Sequence, residues 1–298
     1  MIKRRRLLTF ITVMIIVLTA TFMSLFPFIS NKSLNLLDDA LSVSEGVPIL
    51  DDFVCFTNET YGNSSIIISN GQSIIINCGS IKTADALINQ LKELKISAIS
   101  CLIITHPAAR NTGGFKKLTK EFNIHNLYIC GVFGIDPTND SDLLNLVAIA
   151  DSININTRYI TSDTSFDIGN AKFDIFCQQS ENSRKSDNAP AIKITSSKNS
   201  FLFINELSDQ AESSLYEKDI SADILVVSGT INYEGISNDL IELINPKTAV
   251  FSLSSVSDVE LENNYCKRIL DKSISVYKTS ILGNIYISFE NSNDILHF

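Results

Sequence analysis

Three histidines and six cysteines are the side chains of this chain best suited to metal or nucleophilic chemistry, and their spacing is restrictive. His106 has the most informative context. It follows the apolar run Leu102, Ile103, Ile104 and then Thr105, and it precedes Gly113-Gly114 and a helical pattern. At such a strand-to-helix turn an imidazole can serve as ligand, base or hydrogen-bonded anchor. His125 and His297 lie far from it in sequence. The cysteines, at 55, 78, 101, 130, 177 and 266, form no C-x-x-C pair. Each sits in or beside an apolar strand or helix pattern, which reads as buried free thiol. A zinc site needs three or four His, Cys or carboxylate ligands, and no such spacing is present. Neither a G-x-S-x-G elbow nor a phosphate-binding glycine loop occurs. A Ser–His pair would have to draw on one of three histidines. Asp38-Asp39 and Asp51-Asp52 read as solvated charges.

The elements that must position these residues are legible as alternating strand and helix patterns from Phe53 onward. Ile-rich runs at 64–69 and 73–77 flank Asn70-Gly71, the strongest hairpin signal in the chain. Ala86, Leu87, Leu91 and Leu94 give residues 83–94 a helical stripe. A buried strand at 100–105, a helix at 115–122, a strand at 126–130 and a helix at 140–151 follow. The second half repeats the theme. Strands surround Gly169-Asn170, a hairpin spans 189–205, and strands at 223–228 and 248–253 alternate with helices at 209–217, 236–244 and 259–270. Strands at 273–278 and 284–289 close the pattern. Two β-rich halves with helices predict two sheets face to face with helices outside.

The N-terminus reads differently. Lys3, Arg4, Arg5 and Arg6 precede an uncharged apolar stretch. About 20 apolar residues span a bilayer, whereas a signal-peptide core is shorter. The pattern predicts a cytoplasmic basic segment at 1–6, a single-pass signal anchor at 7–29, a connector at 30–52 and a domain at 53–298 outside the cytoplasm. Cleavage after Leu18-Thr19-Ala20, giving a secreted protein, is the alternative. With the first four cations set aside, 20 Lys and Arg face 33 Asp and Glu. That acidic field opposes direct binding to nucleic acid or an anionic membrane surface, and no basic cluster follows residue 6 in the linear sequence.

Seven segments, in order over residues 53–289, resemble the metallo-β-lactamase superfamily. More narrowly they resemble the hydrolase domain attached to competence DNA-uptake channels and its stand-alone relatives. FTNETYGNS at 56–64 resembles F-L-D-V-G-Q-G-D-S, and IIINCG at 74–79 resembles I-L-I-D-C-G. THPAARNTGG at 105–114 resembles the metal loop T-H-x-H-x-D-H-x-G-G. Asp187-Asn188 with 191–194, LFINELSDQAESSL at 202–215, ADILVVSGT at 222–230 and VYKTSILGNIYI at 276–287 resemble the later segments. The resemblance implies a four-layer αββα sandwich and an ancestral hydrolase of phosphodiester or related bonds.

The same alignment implies that the metal ligands are missing. The second His position holds Ala108, the Asp position Arg110 and the last His position Asn111. The opening and strand-end Asp positions hold Asn63 and Asn77, the G-D pair reads Asn205-Glu206, and the late His pair reads Val227-Ser228. His106 and Glu206 are the residual metal candidates, and a positive Arg110 opposes a cation there. The remnant cleft is therefore expected to gather His106, Arg110, Asn111, Glu206 and Ser228, with Arg110 paired to Glu206. The expected function is a pseudoenzyme that binds a protein partner or small ligand, without a cofactor. Two alternatives stand beside it: a zinc hydrolase with a non-standard site at His106 and Glu206, and an accessory subunit of a competence-type uptake or transport assembly.

Overall fold

Asn70 and Gly71 have φ of 48° and 71°, the left-handed pair that a two-residue type I′ hairpin needs. They join β2 (Ser65–Ser69) to β3 (Gln72–Ile76), and β2 also pairs with β1 (Phe53–Phe56). The computed structural model describes residues 52–58, 63–132, 139–178, 188–205, 209–229, 236–253, 259–290 and 295–297. The expected anchor at 7–29, nearly all of the connector at 30–52, and Glu206 lie outside the described residues. Among the described residues no helix is long and apolar enough to cross a membrane.

From β3 the first sheet grows by parallel strands. Helix α1 (Ala84–Glu93) leads to β4 (Ala98–Ile104), short helices α2 (Ala109–Thr112) and α3 (Phe115–Glu121) lead to β5 (Asn123–Ile129), and α4 (Ser141–Ser152) leads to β6 (Asn156–Tyr159). Parallel neighbours need such crossovers. Leu87, Ile88 and Leu91 bury the inner face of α1, as the apolar spacing predicts. Asp140 caps α4 by accepting from the amides of Asp142 and Leu143, both at 3.0 Å.

The second sheet starts with the antiparallel strands β7 (Thr164–Ile168), β8 (Ala171–Phe176), β9 (Ala191–Thr195) and β10 (Ser200–Asn205). Helix α5 (Asp209–Ser213), β11 (Ile224–Gly229), α6 (Asn238–Ile244), β12 (Thr248–Leu253), α7 (Val259–Asp271) and β13 (Ser275–Lys278) extend it in parallel. Every residue of β11 and β12 is buried, which fits strands covered on both faces. Helix α8 (Thr279–Leu282) returns the chain to β14 (Ile285–Ser288), and β15 (Ile295–His297) closes the first sheet.

The strand orders are β15-β14-β1-β2-β3-β4-β5-β6 and β13-β12-β11-β10-β9-β8-β7. One core cluster, including Val54, Phe56, Ile74, Phe173, Phe203 and Val226, lies between the sheets, and the Phe56 and Phe203 rings meet at 5.9 Å. A second cluster, including Leu225, Leu240, Phe251 and Tyr265, lies between the second sheet and its helices. The hairpin tips of the two sheets also touch. The Asn170 amide donates to Ser69 Oγ at 2.9 Å, and a Cβ on Gly169 would meet the Ser69 carbonyl oxygen at 2.2 Å. Asp52 binds the same corner, accepting from the Asn70 amide at 2.6 Å and from Ser69 Oγ at 3.3 Å.

The expected strands and helices recur with shifts of a few residues at most, except the helix expected over 209–217, which stops at Ser213. β1, β6, β15, α2 and α8 were not expected. β6 reads Asn-Thr-Arg-Tyr and is mostly exposed; its pairing with β5, rather than any apolar pattern, makes it a strand. All six cysteines are free, five of them buried and Cys177 partly so.

Candidate functional site

The parallel strands deliver their C-terminal ends to one end of the sandwich. Asn77 follows β3, Thr105 and His106 follow β4, Asn205 ends β10, and Ser228 lies near the end of β11. Each of these side chains is buried, as are Asn63 and Asn111. Asn77 adopts φ 58°, a left-handed conformation that asparagine tolerates. It extends the ladder by donating its amide to the Ile103 carbonyl at 2.8 Å.

Gly113-Gly114 is explained by packing. A Cβ on Gly114 would stand 2.1 Å from the Cys78 carbonyl oxygen, and one on Gly113 would stand 2.6 Å from the Ile81 nitrogen. The α2–α3 segment thus lies directly on the loop after β3, which leaves no room for a side chain. Gly131, with φ 64°, is pressed in the same way against the Thr105 carbonyl and His106.

The buried polar groups form one directional relay. The backbone N–H of Thr105 donates to Asn77 Oδ1 at 2.9 Å, which fixes which end of that amide is oxygen. The remaining links follow. Asn77 Nδ2 donates to Asn63 Oδ1 at 2.6 Å, and Asn63 Nδ2 donates to Asn111 Oδ1 at 3.2 Å. Asn111 Nδ2 then reaches the His106 ring, 3.1 Å from Nδ1 and 3.2 Å from Nε2, and the His106 carbonyl at 3.2 Å. On the other side Thr105 Oγ1 donates to Asn77 Oδ1 at 3.1 Å and accepts from Asn205 Nδ2 at 2.7 Å. Ser228 Oγ donates to Asn205 Oδ1. Donation therefore runs one way, from Ser228 through Asn205, Thr105, Asn77, Asn63 and Asn111 to His106. Chains of this kind strengthen each link by polarisation.

Ser228 and His106 therefore occupy opposite ends of this relay, and the Ser228 hydroxyl proton is committed to Asn205. Arg110, half-buried, places Nη2 3.1 Å from His106 Nε2. The structure brings together four of the five expected cleft residues, His106, Arg110, Asn111 and Ser228; Glu206 is outside the described residues. Thr105 is the hub that sequence spacing did not single out, although it stands beside His106 in the motif. His125 and His297 are exposed, on β5 and β15.

Among the thiols, Cys78 Sγ donates to the Asn111 carbonyl at 3.1 Å. Burial pushes Cys101 up to about 12 and Cys177 up to about 11, and burial pushes Cys130 well above its ordinary value. Thiols so raised stay protonated at neutral pH, and the thiolate is the reactive form.

Comparison with solved structures settles the architecture. A metallo-β-lactamase fold protein, YhfI from Bacillus subtilis, superposes with TM-score 0.53 over 76% of this chain and 96% of its own, at 11% identity. The fold is that of the metallo-β-lactamases. A mutant of the CmlA β-hydroxylase superposes with TM-score 0.55 over 81% of this chain and 55% of its own, at 10% identity. No family model matches the sequence, and no curated protein matches it either.

The resemblance of 105–114 to a metal loop implies a metal at this end of the sandwich, so the donor set decides whether one fits here. Among the described residues the side chains do not fit one. The oxygens of Asn63, Asn77, Asn111 and Asn205 are all engaged as acceptors within the relay. His106 faces N–H donors from Asn111 and Arg110. Among the described residues no group of three His, Cys, Asp or Glu side chains converges to hold a metal ion.

Proposed function

We propose that this chain is a membrane-anchored, extracytoplasmic protein of metallo-β-lactamase fold that binds a protein partner or small ligand at its cleft without catalysing metal-dependent hydrolysis. The directional relay carries this reading. A metal-binding loop presents lone pairs to a central cation, whereas this cleft spends its lone pairs on its own N–H and O–H groups. The basic segment at 1–6, the uncharged stretch at 7–29 and the connector at 30–52 support the anchor. Cleavage and secretion is the alternative that N-terminal sequencing of the mature chain distinguishes.

Arg110 and Glu206 belong to the same proposal. Arg110 stands at the sequence position of the family's loop aspartate, and Glu206 follows Asn205 in the sequence. Their pairing would put a guanidinium in the place of a metal as counter-charge to the carboxylate.

A second reading is supported by the order of the seven resembling segments. It makes the chain an accessory subunit of a competence-type uptake or transport assembly, with its hydrolase ancestry reduced to a scaffold.

Elemental analysis of the purified chain after incubation with zinc, manganese or iron tests the proposal. Well under one metal per folded chain is expected. One equivalent held through gel filtration, with turnover lost in His106→Ala, would establish the zinc-hydrolase alternative instead.

A further inference from the structure

The helices of the first sheet carry a charge pattern that the linear sequence hides. Residues 82–121 contain six lysines and Arg110 against Asp85, Glu93 and Glu121, whereas the rest of residues 52–298 holds 12 Lys and Arg against 26 Asp and Glu. An acidic domain thus has one net-positive region. The fold gathers it on α1 and α3, which pack side by side and run parallel. Lys117 meets Asp85 at 2.8 Å near their starts, and Lys92 meets Glu121 at 2.6 Å near their ends. Those bridges use up two of the three carboxylates. Lys95, Lys116 and Lys120 remain exposed and form no ion pair among the described residues.

Helix α4 packs beside α3 and carries Asp142 and the exposed Asp151, with Asp140 at its cap, so the net-positive face is that of α1 and α3 alone. Asp140 is spent as its cap, and Asp142 accepts from the Ala109 amide at 3.1 Å. Its exposed face instead offers Leu144, 47% exposed, and Ile81 before α1 is 64% exposed. Cations beside exposed apolar side chains suit a water–lipid boundary. The cations of the two helices are all lysine. Lysine is a flexible point charge suited to a fluid array of anionic headgroups, whereas arginine offers a fixed fork for one defined partner.

We infer that the α1–α3 face is a docking surface for an anionic phospholipid bilayer, engaged through Lys95, Lys116 and Lys120. The inference rests on the reading that residues 7–29 hold the chain at a membrane, because a tether keeps the domain within reach of the headgroups. Net negative charge does not forbid the contact. The Debye length is about 8 Å at physiological salt, so the nearest face dominates. The acidic remainder is repelled, and the domain is thereby oriented.

Lysine footprinting of the full chain on vesicles tests the orientation. Acetylation rates are read by mass spectrometry on neutral phosphatidylcholine vesicles and on vesicles that also contain phosphatidylglycerol. Each lysine near an anionic surface adds about fivefold to partitioning, so Lys95, Lys116 and Lys120 are expected to react about fivefold more slowly on the anionic vesicles. Lys198 and Lys247, exposed and bridged elsewhere to Glu290 and Asp223, should keep their rates. Salt at about 1 M should erase the protection. Lys116→Glu combined with Lys120→Glu should abolish the protection of Lys95. Equal rates on both vesicles overturn the inference. Flotation with the neutral vesicles reports the tether separately. A chain that fails to float there has lost the anchor reading, and the face is then judged by flotation with anionic vesicles alone.

Discussion

Replacing Asn77 by aspartate changes one atom of the relay and tests the whole of it. The side chain is fully buried, and its Oδ1 accepts from both the amide and the hydroxyl of Thr105. Asn77→Asp keeps that oxygen and the shape. It loses the N–H that meets Asn63 Oδ1 at 2.6 Å, setting oxygen against oxygen. An unmade buried hydrogen bond costs about 1–3 kcal/mol, and a buried charge without a partner adds several more. A loss of about 3–5 kcal/mol at neutral pH is therefore expected. The new carboxyl can escape by taking a proton, since the protonated acid donates to Asn63 again. Its folded-state pKa is then raised above the ordinary value of about 3.9. The folded state binds more protons than the unfolded state across that interval, so variant stability falls as pH rises through it. Urea unfolding followed by circular dichroism, for variant and wild type at mildly acidic and neutral pH, should show a gap that widens toward neutrality. A variant as stable as wild type at neutral pH, or one that gains stability on adding zinc, would refute the relay as the reason for the missing carboxylates.

Two further expectations concern charged pairs. Burial pushes Asp223 up, but Lys247 at 2.8 Å and the Ser200 hydroxyl and amide at 2.8 and 3.1 Å outweigh it and hold it below the usual carboxylate range. A depressed acid contributes stability above its unfolded pKa and loses it as pH falls through the folded value. Asp223→Asn should therefore cost about 1–2 kcal/mol at neutral pH, with the difference from wild type closing as pH falls below the ordinary carboxylate range; a pH-independent difference in thermal unfolding would contradict this. For Arg110 and Glu206, a double-mutant cycle with alanine at each position should show coupling of about 1–3 kcal/mol in unfolding free energy, and additive effects would remove the pairing.

Local signals and long-range ones differed in how far the sequence disclosed them. The β2–β3 hairpin was legible because Asn70-Gly71 satisfies a backbone requirement that few other residues meet. Helix α1 was legible because its apolar period is local. β6 was not, because a polar edge strand owes its form to β5. The cleft shows the same division. Asn63 and Asn77 were recognisable as replacements for carboxylates, and Asn205 as the residue at the glycine of the G-D pair. Their joining into one relay, Asn77 to Asn63 directly and Asn205 through Thr105, across separations of 14 and 100 residues, depends on the strand ends meeting. The lysines of α1 and α3 are separated in the chain by β4, so they become a cluster only when the parallel crossovers place both helices on one face.

The corner where the hairpin tips meet also has a mechanical meaning. The described chain enters the fold at Asp52, immediately before β1, which is paired on one side with β14 and on the other with β2. Asp52 grips the Asn70 amide and Ser69 Oγ, its carbonyl accepts from the Phe289 amide at 3.0 Å, and Ser69 Oγ in turn accepts from Asn170. Tension applied through the preceding residues would reach two sheets at its first point of contact. It would load β1 along its length, against two ladders at once, instead of peeling an edge strand. The entry point is thus built as a strain relief, and the domain should resist pulling from its N-terminal side better than from β15, an edge strand of three residues.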